Sequence, residues 1–414
     1  MKFTYSSFFR IFIPLILPSL CIALIVPRNA LRKPGKGFGP RLSSGPRSQV
    51  WVQTFATPRG GQLNLLELLD RQTRVTHIYL AAFHINDPPG NIHLNDAPPD
   101  DPRYDYIWPQ IKVLQQSGVK VLMLVGGAAQ GSYQRLAGSD EQFEAYYLPL
   151  LKMIRKYGID GVDLDIEESV DISVPLRLLR RLDSDLGPEF ILAMSPVASA
   201  LFPKPWAVGL SGFDYNDLDR LAVSSTRPSG KLVDWYNCQF YNGWGDASDI
   251  KYYDAIATSG KWDPSRIVLG ILDHPGNGGS GFVSQKRITE VIRQLRTNYP
   301  NFGGVIGWEY FNAGQADGFS EPWQWVKAIG RALYDPYNER RIDNDPPNFE
   351  QMNCSSPWPG PMSRLLEEGA KYFRAVKALN ITSGDLERAE ELLFSEPVPE
   401  PPQPDTPEKV ESGV

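Results

Sequence analysis

Eight short runs rich in β-branched and aromatic residues recur between residues 50 and 311, and they constrain the fold more than any other feature of the chain. Longer amphipathic stretches, such as 106–118, 143–158 and 284–300, separate most of them, so strands alternate with helices. The predicted strands are 50–55, 75–83, 119–125, 161–166, 190–196, 234–241, 266–272 and 303–311. Eight strands alternating with helices over about 260 residues predict an α/β fold of the (β/α)8 barrel type. An open, doubly wound sheet is the alternative, disfavoured because no Gly-x-Gly-x-x-Gly motif follows the first strand.

The composition excludes several classes of function. The 414 residues include 42 Lys and Arg against 48 Asp and Glu, a net charge of −6, so we expect no nucleic-acid-binding surface. Only three cysteines occur, Cys21, Cys238 and Cys354, which excludes a disulfide scaffold. The four histidines show no spacing typical of a zinc site, so we expect neither a metal nor another cofactor.

The N-terminal segment differs from the barrel. Residues 1–27 contain a sixteen-residue apolar run preceded by Lys2 and Arg10, a pattern typical of a secretory signal or signal anchor. The run is shorter than the roughly 18 residues of a spanning helix, and a mis-assigned start or a buried helix are the alternatives. Residues 28–49 read as a basic Gly/Pro-rich linker. We therefore expect the secretory pathway or the extracellular space, with the cytoplasm as the alternative.

The C-terminal segment changes composition again after the barrel, which we place at 50–335. Residues 336–360 read as a polar connector. Residues 361–396 show three short helical patterns and predict a small three-helix bundle, close to the lower size limit for independent folding. Residues 397–414 contain six prolines and almost nothing to bury, which predicts a disordered tail.

The fourth predicted strand carries carboxylates at alternate positions, Asp163, Asp165 and Glu167. Successive side chains of a strand point to opposite faces, so these three share one face and the apolar residues between them share the other. In a barrel the apolar face packs on the helices, so the carboxylates face the lumen and approach the C-terminal rim, where catalytic groups lie. Like charges and burial both raise a carboxylate pKa, so at least one proton is retained and Glu167, the outermost, can act as a general acid. A solvated acidic turn or a calcium loop is the alternative, but neither alternates with Val, Leu and Ile.

The pattern Asp-x-x-Asp-x-Asp-x-Glu at 160–167 is identified as the signature of glycoside hydrolase family 18. This resemblance implies substrate-assisted catalysis, in which the acetamido group of the sugar attacks its own anomeric carbon to form an oxazolinium ion. It implies that Glu167 protonates the departing oxygen and then deprotonates water. It also implies that Asp165 accepts a hydrogen bond from the acetamido N–H and that Asp163 shares a proton with Asp165.

Further substrate-binding candidates lie at the ends of later strands. The resemblance implies that the Tyr241 hydroxyl donates to the acetamido carbonyl and that Trp308 forms the floor beneath the sugar. Both aromatic residues have an ordinary alternative as structural core residues. Gln239 shares a strand face with Tyr241, and Met194 and Asn242 complete the predicted substrate-binding set.

Longer stretches of the barrel are similar to fungal endo-β-N-acetylglucosaminidases of family 18. The resemblance implies a GlcNAc-containing glycan or glycoprotein as partner and cleavage of the β-1,4 bond in the chitobiose core of N-linked glycans. Chitin is the alternative substrate. A non-catalytic lectin is a weaker alternative, because Glu167 is present. The similar stretches include QTF (53–55), FHIN (83–86), VGGAAQGS (125–132), DWYNCQFYNGWG (234–245) and GWEYFN (307–312).

Residues 378–394, ALNITSGDLERAEELLF, resemble the second half of a ubiquitin-associated domain. The resemblance implies a contact with ubiquitin through 361–396. Where that family usually has Met-Gly-Phe, this chain has Glu368-Gly369-Ala370, so the Met and Phe of the usual apolar contact are replaced. A ubiquitin contact requires the cytosol, whereas the apolar leader indicates export.

Overall fold

A computed structural model describes residues 45–335 and part of the C-terminal segment, namely Arg364, Leu365, Ala375, Ala378, Leu379, Thr382 and residues 384–394. The predicted leader (1–27), connector (336–360) and disordered tail (397–414) lie outside the described residues. So do most of the predicted linker and part of the predicted bundle.

Eight parallel strands close into a barrel, which confirms the predicted (β/α)8 architecture. Every barrel strand pairs in parallel with its neighbours, and the first strand pairs with both the last and the second, so the barrel is closed. The strands are β1 (Arg47–Val52), β2 (His77–Asn86), β3 (Asn91–Leu94), β4 (Lys120–Gly126), β5 (Gly161–Asp165), β6 (Ile191–Met194), β7 (Trp235–Gln239), β8 (Ile267–Leu272) and β9 (Gly304–Trp308).

Two details differ from the sequence-based expectation. The strand β3 was not predicted; it pairs antiparallel with the end of β2 and lies outside the parallel barrel. Four residues are too few to show a clear alternation, which explains why the pattern missed it. In addition, β1 begins at Arg47, so the last residues of the predicted linker belong to the barrel.

Helices follow most of the strands, and their ends obey local rules. The helix Asp140–Tyr157 shows this. The Ser139 side chain accepts from the Gln142 N–H, acidic residues occupy the first turn, and Gly158 ends the helix in the left-handed region. The helices are α1 (Glu67–Asp70), α2 (Ile107–Gln116), α3 (Ser132–Arg135), α4 (Asp140–Tyr157), α5 (Ser173–Leu186), α6 (Tyr215–Leu221), α7 (Lys251–Ser259), α8 (Gln285–Asn298) and α9 (Pro322–Tyr334). The three helical stretches predicted from periodicity correspond to α2, α4 and α8.

The barrel strands separate two apolar clusters. The larger cluster lies between strands and helices and includes Val162, Leu164 and Ile166. The smaller cluster fills the lumen with residues of the opposite parity, among them Trp51 and Trp235. The alternation along β5 therefore directs Asp163 and Asp165 into the lumen, as predicted.

The described part of the C-terminal segment contains the helix α10 (Leu386–Phe394). Buried Leu365, Ala375, Ala378, Leu379 and Ala389 form a small apolar cluster with it. The three-helix bundle stays a prediction. Among the described residues, no helix has both the length and the apolar character that crossing a membrane requires.

Candidate active site

The carboxylate row lies at the C-terminal end of β5. Asp163 is fully buried, Asp165 is 7% exposed, and Glu167, two residues beyond the strand, is half-buried at the rim. The end of β4 approaches this row closely, because the Gly127 N–H donates to the Asp165 carbonyl at 2.9 Å. A Cβ on Gly126 would lie 2.2 Å from the same carbonyl oxygen. Glycine at this position therefore permits the close approach of the two strand ends.

Asp163 is held by donors on three other strands or strand ends. Its Oδ2 accepts from Ser195 Oγ at 2.6 Å, from Asn237 Nδ2 at 3.1 Å and from Trp51 Nε1 at 3.2 Å. Its Oδ1 has no hydrogen-bond partner among the described residues. Burial raises the pKa of Asp163 to about 6, although the three donors oppose the rise. Asp163 can therefore exchange a proton near neutral pH.

A polar network beneath Asp163 orients one of its donors. Asn237 Oδ1 accepts from Gln49 Nε2 at 3.3 Å, and Gln49 Oε1 accepts from the Tyr79 hydroxyl. The Tyr79 oxygen in turn accepts from Trp235 Nε1 at 3.1 Å. Because Asn237 Oδ1 is engaged by Gln49, its Nδ2 is directed at Asp163. The network thus orients the carboxylate row from below.

Gln239 links the two upper carboxylates. Its Nε2 donates to Asp165 Oδ1 at 3.1 Å, to Glu167 Oε1 at 3.3 Å and to the Ser195 carbonyl at 3.1 Å. Burial, with the charges of Glu167 and Asp163, raises the pKa of Asp165 well above its ordinary value. Burial also raises the pKa of Glu167, against the hydrogen bond from Gln239. The pair therefore retains a proton to a higher pH than ordinary carboxyl groups do.

Two aromatic side chains flank the carboxylates. Tyr241 is 6% exposed, and burial together with the charges of Asp165 and Glu167 raises its pKa, so its hydroxyl keeps the proton. Trp308 ends β9, packs on the lumen cluster and meets Trp51 edge to face with ring centroids 5.8 Å apart. Trp51 also donates to Asp163, so it connects Trp308 to the carboxylate row.

The structure does not bring two predicted residues to the site in the expected way. Met194 is fully buried in the cluster between strands and helices, so the prediction that it binds substrate is wrong. The alternation along β6 places Ala193 in the lumen cluster and Met194 on the opposite face. Asn242 is exposed, but its Oδ1 accepts from the N–H groups of Gly279 and Ser280. Asn242 Oδ1 therefore binds the backbone of the loop that follows β8.

Sequence reasoning missed three donors to Asp163, namely Trp51, Ser195 and Asn237. The signal was present, since Asn237 has the same parity as Gln239 on β7, and Ser195 follows Ala193 and Met194 at the end of β6. Parity alone could not show which acceptor each of them contacts.

An open cleft of about 1020 Å³ lies at the C-terminal ends of β1 and β2 and along β3. Glu309, the residue after Trp308, contacts the wall of this cleft, because its Oε2 accepts from the N–H groups of Gln53 and Thr54. The cleft walls combine amide, imidazole, carboxylate and guanidinium groups with aromatic rings. Lining side chains include Gln53, Phe55, Gln62, His84, Asn86, His93, Asn95, Asp96, Arg103, Tyr104 and Tyr106.

Residues 49–272 match the family model described as Glycosyl hydrolases family 18. The chain belongs to this family. The family predicted from the acidic motif is therefore confirmed. The matched residues include β5, which carries this motif.

Solved family 18 structures share the barrel. A chitinase, ChiC, from Aspergillus fumigatus is 45% identical with a TM-score of 0.61, covering 70% of this chain and 100% of that one. A fungal endo-β-N-acetylglucosaminidase of the family is 36% identical with a TM-score of 0.63, covering 70% and 99%. Among curated relatives, Chitinase 2 of Rhizopus oligosporus is 27% identical over 51% of this chain and 37% of its own length. The chain spans less than half the length of the first curated relatives it matches.

Proposed function

We propose that this chain is a retaining glycosidase that cleaves the β-1,4 bond following a GlcNAc residue by substrate-assisted catalysis. The observation that carries the proposal is the lumen row of Asp163, Asp165 and Glu167, with Gln239 donating to the upper two carboxylates. A half-buried carboxyl with a raised pKa at the rim is suited to donate a proton to a leaving oxygen.

The roles follow from depth in the lumen. Glu167, at the rim, protonates the departing oxygen and later deprotonates water. Asp165, one layer deeper, accepts from the acetamido N–H and offsets the positive charge of the oxazolinium ion. The Tyr241 hydroxyl, kept protonated, donates to the acetamido carbonyl and aligns it for attack. Asp163, lowest, takes up or releases a proton as the charge of Asp165 changes.

We propose the chitobiose core of N-linked glycans as the substrate. The open cleft on the side of β1 to β3 supports this choice, because its amide and charged side chains can hydrogen-bond the hydroxyl groups of a branched glycan. The similarity to the fungal endo-β-N-acetylglucosaminidase structure also supports it. Chitin is the second candidate, favoured by the 45% identity to the Aspergillus fumigatus chitinase.

A direct competition tests both substrates. Purified protein is offered a high-mannose glycoprotein and a chitin oligosaccharide side by side, and the released sugars are identified by mass. We expect release of the glycan by cleavage between the two core GlcNAc residues, which leaves one GlcNAc on the protein. Faster cleavage of the chitin oligosaccharide would establish the second candidate instead. A first product with inverted anomeric configuration would rule out the oxazolinium route, which inverts twice.

Variants of neighbouring residues test the mechanism. Glu167→Gln is expected to remove nearly all turnover, Asp165→Asn much of it and Tyr241→Phe less. Glu168→Gln is the matched control, because Glu168 is the next residue, is buried, and its Oε1 accepts from the Tyr133 N–H, which an amide oxygen also does. Full activity in the Glu167 variant, or equal losses in both glutamate variants, would refute the assignment.

We further propose that the apolar leader directs the chain into the secretory pathway, with the cytoplasm as the alternative. The apolar run after Arg10 supports this proposal. A contact of residues 361–396 with ubiquitin is expected only under the cytoplasmic alternative, because ubiquitin recognition occurs on that side of the membrane.

A further inference from the structure

The loop that follows β8 lies between the two aromatic residues of the site. Residues 275–281, here named the glycine loop, contain the sequence Pro-Gly-Asn-Gly-Gly-Ser-Gly. In the barrel β8 lies between β7 and β9, which do not pair with each other. Tyr241 follows β7 and Trp308 ends β9, so a loop after β8 is placed to contact both strand ends.

On the β9 side the contact runs through Asn277. Its Nδ2 donates to the Trp308 carbonyl at 3.2 Å and to Asp273 Oδ1 at 3.0 Å. It also exchanges hydrogen bonds with Asn312, in both directions at 2.9 Å. Asn312 lies four residues beyond Trp308. Asn277 therefore contacts the chain at Trp308 and again at Asn312.

On the β7 side the contact runs through Asn242 and through backbone packing on Tyr241. Asn242, in the left-handed region at φ 56°, accepts from Gly279 N at 2.8 Å and Ser280 N at 3.4 Å, and its own N–H donates to the Ser280 carbonyl at 2.9 Å. Gly281 packs so closely that a Cβ there would lie 2.8 Å from Tyr241 Cα and 3.1 Å from Tyr241 Cβ. The loop therefore presses on the backbone that carries the Tyr241 side chain.

We propose that the glycine loop is a positioning element that holds Tyr241 and Trp308 in a fixed relation, with Asn242 and Asn277 as positioning residues. This inference rests on the proposed function, in which Tyr241 orients the acetamido group and Trp308 supports the sugar ring. Without the loop, Tyr241 and the chain beyond Trp308 would be connected only through the pairing of β7 and β9 with β8. A small misplacement of an aligning group lowers turnover more than it weakens binding, because alignment matters most in the transition state.

Two glycines of the same loop provide the first test. Gly281→Ala forces a side chain into the backbone of Tyr241 at a φ of +88°, whereas at Gly279 the nearest atom to a new Cβ is Asn242 Oδ1 at 3.7 Å, an ordinary contact. We expect Gly281→Ala to lower kcat by about 10- to 100-fold with KM changed less than about threefold. Gly279→Ala is expected to stay within about twofold of the parent in both constants.

The two asparagines provide the second test, which also holds if Gly281→Ala fails to fold. Asn277→Ala is expected to lower kcat with little change in KM. Its matched control is Asn301→Ala, since Asn301 Nδ2 donates to Asp263 Oδ1 at 2.9 Å just before β9, at the opposite end of the barrel from Trp308. The double variant Asn242→Ala/Asn277→Ala is expected to lose little more kcat than the worse single variant, because one released end already frees the loop.

The outcomes separate this inference from the proposed function. A parent protein that cleaves neither substrate overturns the proposed function, and this inference with it. An active parent in which Gly281→Ala behaves as Gly279→Ala does, or in which Asn277→Ala behaves as Asn301→Ala does, overturns the positioning role alone. Losses of kcat that add fully in the double asparagine variant also contradict a single positioning element.

Discussion

Replacing Asp163 by Asn should change how the stability of the barrel depends on pH. Burial raises the pKa of Asp163 from its ordinary 3.8 to about 6, so the folded protein binds this proton more tightly than the unfolded chain does. Below about pH 4 the carboxyl is protonated in both states, so it does not lower the free energy of unfolding. Between about pH 4 and pH 6 the unfolded chain has released this proton and the folded protein still holds it, so stability falls. Above about pH 6 the folded protein carries an unfavourable buried charge and the loss is complete. An amide side chain at this position would carry no such charge.

The size of the effect follows from the shift. A difference of about 2.2 pKa units, from 3.8 to about 6, corresponds to about 3 kcal/mol at about 1.4 kcal/mol per unit. The stability of Asp163→Asn relative to the parent should thus increase by about 3 kcal/mol between pH 4 and pH 8. Asp163 Oδ1 has no hydrogen-bond partner among the described residues, so the amide NH₂ that replaces it in the variant is also unpaired. This lowers the stability of the variant by the same amount at every pH, so it does not affect the change between pH 4 and pH 8.

Urea unfolding at a series of pH values measures this difference. Asp171→Asn is the control: Asp171 is exposed, and the Ser173 side chain and N–H hold its pKa below the ordinary value. Its variant should therefore lose relative stability only as pH rises to about 4 and change little from pH 4 to pH 8. A relative stability of Asp163→Asn that stays constant or falls from pH 4 to pH 8 would refute the reasoning.

Three further predictions concern the site, the outer layer and the leader. Gln239→Leu removes a donor that favours ionised Glu167, so the alkaline limb of the kcat/KM profile should move up by roughly one pH unit; an unmoved limb contradicts this. Arg227→Ala removes a buried guanidinium paired with Asp183 at 2.7 Å and Asp234 at 2.9 Å, and should cost about 3–5 kcal/mol in urea unfolding; a loss below about 1 kcal/mol is the contrary result. A C-terminal fluorescent fusion should enter the secretory pathway and carry endoglycosidase-sensitive glycan at the sequons Asn353-Cys-Ser or Asn380-Ile-Thr. A diffuse cytosolic signal without glycan would overturn this expectation.

Local pattern determined the architecture and the acidic face of β5. The side-chain period of two is a property of any strand, so the alternation of Asp163, Leu164, Asp165 and Ile166 separates lumen from outer face before any tertiary contact exists. Likewise, the order of strands and helices leaves few arrangements other than a closed parallel barrel. The motif on that strand then indicated the family, which the match over residues 49–272 confirms.

Tertiary structure alone decided which groups meet across the lumen. Trp51 and Asp163 are 112 residues apart in sequence, and Gln49 and Asn237 are 188 apart, yet each pair is hydrogen-bonded because the barrel closes β1 against distant strands. Met194 was misplaced because every residue of β6 is apolar, so no polar alternation marks its two faces. The pairing with β5, which sets Met194 opposite Leu164, decides them. The pKa of Asp163 is likewise a tertiary property, because desolvation by the surrounding strands is its largest cause and no sequence pattern measures burial.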